Sequence, residues 1–422
     1  MKNPRFADFG SRLRTARKMA GMSLEDLAER TGRVVTRQAL SKYEKGRMMP
    51  SPGVFDRISD ALGLGPEREP AVDLCCSLRE EVYPYGESGR HEATRFSAIN
   101  ANLDELPVKT PHDLRSPGDM AGLASRRRFL LRPPMDAASA PSPRIAPALD
   151  QVRFREREKL PAKAAVALRL RVEDYIRRCL EIEACLGVAQ AFVNPLAGRA
   201  IKSVEDVETA AIDVRRAWGL GSCPIANLLG LLEEKGIRVF EVRGVAGFEG
   251  LSGSYGTVPL ITVNRDYPDD RVRFTAAHEL GHILCGFPEK EGAESLCHEF
   301  AGAFLLPRDA LEKALMPARR KISLWELKEL KESYGISLQA IIYRARSLGL
   351  VTGRQARTFR ETIKAKGWQV TEPVEYRGNE QATRLRRLLS YAVAESIVAP
   401  ERAAGLAGVS TTEFMTELGH IF

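Results

Sequence analysis

No apolar run in this 422-residue chain approaches the roughly 18 residues of a membrane-spanning helix, so no membrane partner is expected. The N-terminal stretch is charged and has no apolar core of the kind a secretory signal needs, so export is not expected either. The seven cysteines lack any Cys-x-x-Cys spacing. Cys75 and Cys76 are adjacent, and Cys179, Cys185, Cys223, Cys285 and Cys297 are scattered. That argues against a disulfide scaffold and for free thiols in a reducing cytoplasm. No internal repeat is evident. Histidine is scarce, with six in all, yet three of them fall between positions 278 and 298.

That cluster begins with His278-Glu279-Leu280-Gly281-His282. Two imidazoles four residues apart lie on one face of a helix, one turn from each other. Together they can hold a Zn²⁺ ion, and Glu279 can take a proton from the water such an ion activates. The surroundings read as helix. Asp269 and Asp270 suit an N-terminus, apolar residues follow at helical spacing, and Gly286 with Pro288 reads as a stop. A second helix, from Glu294 to Pro307, offers Glu294 and His298 at i, i+4. Cys297 on the same helix reads as a small buried residue rather than a ligand.

The net charge is +8, and residues 1–65 carry +6 of it, from thirteen Lys and Arg against seven Asp and Glu. This part of the chain reads as short helices. Phe9, Leu13 and Ala16 form one stripe. Ser23 caps a helix with Asp26 as its reciprocal partner, and Gly32 breaks it. Thr36 caps Arg37–Glu44, Gly46 ends that helix, and a further one runs from Val54 to Leu62. Helix, short turn, then a basic second helix is the helix-turn-helix pattern, and a concentrated basic charge suits double-stranded DNA.

Residues 66–150 read as a linker, partly disordered, with Pro-rich stretches and the basic run Arg126–Arg128. From about 152 to 218 the pattern is helical, and a helix is also expected over 225–234. Strands are expected at Ile237–Val242, Leu251–Tyr255 and Leu260–Val263, directly before the metal helix. An edge strand beside the metal would let an extended substrate pair with it. Residues 376–422 read as helical, and the stretch after Pro400 suits docking or dimerisation. The expected fold class is α+β: an all-α helix-turn-helix domain, then a mainly helical zincin-like domain with a small sheet.

Two resemblances follow from these motifs. Gly21–Ala28, Thr36–Gly46 and Pro50-Ser51 resemble the Xre/Cro-type helix-turn-helix, with a turn about two residues longer (Arg33-Val34). It implies base contacts by Arg37, Gln38 and Ser41 and phosphate contacts by Lys42, Lys45 and Arg47. Residues 151–375 resemble the ImmA/IrrE-type zinc metallopeptidases. The carriers are Trp218-Gly-Leu-Gly221, Gly250-Leu-Ser-Gly253, Val263-Asn264, His278–His282, and Glu294 followed by Phe300-Ala301 and Leu305-Leu306-Pro307. That resemblance implies His278, His282 and Glu294 as zinc ligands and Glu279 as general base. The chain departs from the family at Cys297-His298, where Ala-Asn is common, so His298 competes as a ligand or acts behind one. Tyr343 and Arg344 are weak candidates for stabilising an oxyanion. The combined expectation is a cytoplasmic, nucleoid-associated, homodimeric regulator. It would bind operator DNA and cleave an Xre-type repressor. A non-cleaving sensor built on the same fold, or an antitoxin-like binding protein, remains open at this stage.

Overall fold

A computed structural model describes residues 4–63, 152–154, 160–286, 292–315, 322–369 and 371–419. The Arg126–Arg128 run and the Cys75-Cys76 pair lie outside the described residues. Contacts divide the chain into two compact units, residues 1–145 with 390–422, and residues 146–389.

The first unit opens with four helices: α1 (Pro4–Met19), α2 (Leu24–Arg30), α3 (Arg37–Glu44) and α4 (Pro52–Leu62). Their starts are local chemistry. Ser23 and Asp26 form the reciprocal cap of α2, and the Thr36 hydroxyl accepts from the Ala39 N–H at the start of α3. The turn between them uses two left-handed residues, Gly32 (φ 67°) and Arg33 (φ 58°). Its extra length turns Val35 into the core and leaves Val34 exposed. Phe9, Leu13, Leu27, Val35, Leu40, Phe55 and Ile58 form one apolar cluster. Arg17 of α1 grips Glu44 at the end of α3 with two bonds of 2.6 and 3.0 Å, which fixes how α3 sits. Gly10 allows that approach, since a Cβ there would lie 2.5 Å from the Tyr43 carbonyl oxygen.

The second unit holds a sheet and a layer of helices. Its elements are β1 (Val152–Phe154), α5 (Ala162–Leu186), α6 (Val204–Ala217), α7 (Leu228–Glu234), β2 (Arg238–Val242), β3 (Gly250–Tyr255), β4 (Val258–Asn264), α8 (Asp269–Cys285), α9 (Ala293–Leu305), α10 (Arg308–Leu315), α11 (Leu324–Tyr334), α12 (Leu338–Ser347) and α13 (Gly353–Lys366). Helix α14 (Arg384–Ala394) follows. It leads to α15 (Pro400–Ala407) and α16 (Thr411–Gly419), a pair joined by a turn at Gly408. Strand order is β1-β3-β4-β2; β2 runs parallel to β4, and β3 runs antiparallel to both its neighbours. Two expectations change here. Residues 152–154 form a strand in a stretch whose local pattern reads as helix, because they pair with residues a hundred positions on. The strand beside the metal helix, β3, is not an edge: β4 lies on one side and β1 on the other.

The core of this unit joins α6, α7, β2, β4, α8 and α9 through Val214, Leu232, Val239, Ile261, Leu280, Phe300 and Phe304. Buried ion pairs fasten its rim. Glu183 of α5 accepts from Arg238 of β2 at 2.6 Å and from Arg384 of α14 at 3.0 Å. Lys331 of α11 bridges Asp270 at 2.5 Å and Glu372 at 2.6 Å. These pairs cost desolvation, so their main effect is to make one arrangement of helices far better than its neighbours. The described free thiols are Cys179, Cys185, Cys223, Cys285 and Cys297. Burial pushes the Cys179 and Cys285 thiols up to about 12, so neither supplies a thiolate.

Candidate metal centre and DNA-reading surface

Helix α8 ends as its sequence requires, at Gly286 in the left-handed region (φ 56°). Twelve of its seventeen residues are buried, so most polar groups on it need a partner within the protein. It packs across β3 and β4. Gly250 on β3 makes room, for a Cβ there would lie 2.4 Å from Cγ2 of Thr275. Two residues on, and therefore on the same face of the strand, the Ser252 hydroxyl donates to Oε2 of Glu279 at 2.6 Å. Both groups are buried.

One turn of α8 separates His278 from His282, and their Nε2 atoms lie 3.1 Å apart. Glu294 reaches in from the first turn of α9, its Oε2 at 3.3 Å from His278 Nε2 and its Oε1 at 3.9 Å from His282 Nε2. The three expected ligands therefore converge. With metal–ligand bonds near 2.0–2.1 Å, a tetrahedral zinc site has donor–donor edges of about 3.3 Å, which the three separations bracket. The imidazoles are buried while the carboxylate is 54% exposed, so Glu294 closes the site from the solvent side.

Cys297 is buried beside His282. Its Sγ lies 3.0 Å from Nδ1 of His282, on the opposite side of the ring from Nε2. With the His282 proton on Nδ1 facing sulfur, the Nε2 lone pair faces His278 and Glu294. Cys297 also belongs to a buried donor group with His278 and His282, and a second group joins His278, Glu294 and His298. The close pairing of Sγ with Nδ1 favours an orienting role for the thiol. His298 Nδ1 donates to the Glu294 carbonyl at 2.7 Å, and its ring lies edge-on to His278 with centroids 4.4 Å apart. It flanks the ligands and tightens the turn that carries Glu294.

A cleft of about 1060 Å³ begins at Thr275, Ser295 and His298 and runs past Phe274, Tyr343 and Trp368. Tyr343 is exposed on its wall. Arg344 is not available to substrate: it is buried, with Glu208 at 2.9 and 3.0 Å and the Leu306 carbonyl as acceptors. Sequence reading did not find Ser252 or the Cys297–His282 contact. The only local signal for Ser252 was its place in Gly250-Leu-Ser-Gly253, two residues from the glycine that admits α8.

In the first unit, α3 buries Leu40 and Tyr43. Its other side exposes Arg37, Gln38 and Lys42, with Ser41 half-buried between them; Lys45 and Arg47 follow, also exposed. The six residues expected to meet DNA thus share one accessible stretch, and the helix presenting them is held by the Arg17–Glu44 pair.

Residues 13–68 match the helix-turn-helix family model, and residues 232–346 match that of the IrrE N-terminal-like domain. An uncharacterized HTH-type transcriptional regulator from Methanothermobacter thermautotrophicus is 49% identical over 51 residues, 12% of this chain and 71% of that protein. Among the described residues no helix is long and apolar enough to cross a membrane. With four short helices over residues 4–62, two of them capped by Ser23 and Thr36, and an imidazole–carboxylate cluster on two packed helices further along, the chain belongs to the helix-turn-helix transcriptional regulators of Xre type that also carry an ImmA/IrrE-like, peptidase-type domain.

Proposed function

We infer that the second unit is a zinc-dependent endopeptidase and that its substrate is an Xre-type repressor protein. The observation that carries this reading is the donor set: Nε2 of His278, Nε2 of His282 and the Glu294 carboxylate within 3.1–3.9 Å of one another, beside a buried glutamate that does not belong to it. Two imidazoles and one carboxylate match a catalytic zinc site, which keeps a fourth position open. Zinc, when bound, supplies a Lewis acid that makes water nucleophilic near neutral pH.

The chain's own residues do the rest. Ser252 holds Glu279 in one rotamer by donating to Oε2. The Glu279 carboxylate accepts the proton of the attacking water and returns it to the leaving amine. Cys297 keeps the His282 proton on Nδ1. In the first unit, Arg37, Gln38 and Ser41 face base edges, while Lys42, Lys45 and Arg47 meet phosphates. A homodimer would bring two such helices to paired half-sites of an operator, in a cytoplasmic, nucleoid-associated protein.

The test is incubation of the zinc-loaded chain, and of its Glu279→Gln form, with Xre-type repressors encoded nearby, read by mass spectrometry. One discrete cut by the wild type and none by the variant is expected, because an amide cannot accept the proton. Equal cutting by both forms, or no cut in any candidate, removes the peptidase reading.

A further inference from the structure

We propose that β1, the short strand that precedes α5 in the chain, is a tethered competitor for the edge along which substrate docks. The inference rests on the peptidase reading above and concerns the regulation of that site. Strand β3 carries Ser252, whose hydroxyl holds the general base, so β3 is the strand beside which a scissile peptide must run. An extended peptide docks by completing the hydrogen bonds of an open strand edge. In this chain the outer side of β3 is taken by Val152, Arg153 and Phe154, antiparallel, opposite Tyr255, Ser254 and Gly253.

The direction and extent of that pairing define the role. From Val152 to Phe154 the chain advances along β3 toward Ser252 and so toward Glu279. The paired stretch stops opposite Gly253, one residue short of Ser252, so it fills the approach without laying a paired peptide bond beside the general base. That favours a competitor over a substrate. Three paired residues make a weak strand, but the tether gives it a local concentration in the millimolar range, enough to exclude weak peptides and to yield to a longer partner.

The test uses the full chain in the Glu279→Gln background, so that binding is read apart from cleavage. The probe is a fluorescein-labelled synthetic peptide with the sequence of residues 150–158, followed by anisotropy. Arg153→Pro removes a backbone N–H and restrains φ in the middle of β1. It should tighten peptide binding at least tenfold over the parent. A second form, Arg153→Cys with Ser254→Cys, places two thiols on directly opposed residues. Oxidised, it should not bind the peptide; reduced, it should behave as the parent. Circular dichroism establishes that each form is folded, and the cystine form keeps the test alive if the proline form is not. Equal binding by parent and proline forms, equal binding by oxidised and reduced cystine forms, or no binding by any form at millimolar peptide overturns the proposal. So does a cut just after Phe154 in the zinc-loaded wild type, which would make β1 a substrate. Differential peptide binding without cleavage of any repressor would sink the peptidase reading alone. Cleavage without differential binding would sink this one alone.

Discussion

Replacing Glu380 by alanine should unfold the second unit early, although residue 380 lies far along the chain from the metal helix. Its carboxylate pairs with the Arg273 guanidinium of α8, and neither side chain has any exposed surface. The same carboxylate accepts from the N–H groups of Leu228 and Leu229, at 2.9 and 3.3 Å, and so completes the N-terminus of α7. Arg273 keeps other contacts: the carbonyls of Ile225 at 2.8 Å and Tyr334 at 3.3 Å, and the Tyr376 ring at 5.1 Å. Gly335, in the left-handed region, is required beside it, since a Cβ there would lie 2.6 Å from Arg273 Nε. None of these contacts supplies negative charge. Stranding a buried guanidinium costs about 3–5 kcal/mol, and two helix-start N–H groups lose an acceptor.

We therefore expect about 4–5 kcal/mol of destabilisation for Glu380→Ala. For a unit of this size that is a fall of roughly 8–20 °C in the midpoint of its own calorimetric transition. The double variant Arg273→Met, Glu380→Leu removes both charges and should recover most of the loss, because a buried pair is worth little against apolar groups of similar volume. A cost below about 1 kcal/mol for Glu380→Ala, or a double variant as unstable as the sum of the two singles, would refute the reasoning.

Glu233 should make the same unit lose stability as pH rises, since burial pushes its carboxyl up to about 7, partly offset by the N–H groups of Arg384 and Thr383 at 2.8 Å. A folded value above the unfolded one stabilises fully below pH about 4.5, and that contribution, at most about 3 kcal/mol, fades as pH climbs through about 7; Glu233→Gln should flatten that part of the stability curve. Purified protein should hold close to one zinc per chain by atomic emission, lost in His278→Ala, His282→Ala and Glu294→Ala and kept in His298→Ala; the reverse outcome for the last two would exchange their roles. Gly281→Ala should leave the fold intact, because helix propensity gains about 1 kcal/mol. Its Cβ, 3.1 Å from the Phe300 ring and 3.5 Å from Cys297 Sγ, should wedge the two ligand helices apart and weaken zinc retention against a chelator. Neutralising Lys42 and Lys45 should lower affinity for all DNA sequences and reduce the salt slope by about 0.9 per charge, whereas Gln38→Ala should cost about 1–3 kcal/mol at one base position. A salt-independent affinity would refute the DNA assignment of these residues.

What could be read from the chain was what is local. The Ser23–Asp26 cap, the Thr36 cap, the stop at Gly286 and the i, i+4 imidazoles each involve residues within one or two turns, and each is found where its chemistry requires. Glu294 could be placed because helix α9 had its own stop at Pro307. What could not be read depends on pairings across distance. Ser252 meets Glu279 over 27 positions, Cys297 meets His282 over 15, and Arg273 meets Glu380 over 107. The three residues of β1 are the clearest case. Val-Arg-Phe between Gln151 and Arg155 has no alternation long enough to reveal a strand, and only the edge of β3 makes it one.

The burial of α8 connects these long-range contacts to the chemistry. A metal ligand set tolerates errors of only a few tenths of an ångström, so it belongs on an element that cannot shift. Helix α8 meets that need with partners on every side: β3 and β4 beneath, α9 alongside, Lys331 at Asp270 in its first turn, and Glu380 at Arg273 in its second. Its buried charged residues Asp270 and Arg273 are each held by another segment rather than by water. The last of those segments, around Glu380, then leads into α14, whose first turn is capped by Glu233 and whose Arg384 binds Glu183. Residues 380–384 are thereby stitched to the same frame that carries α8. A change that loosens it should be felt at His278, His282 and Glu294.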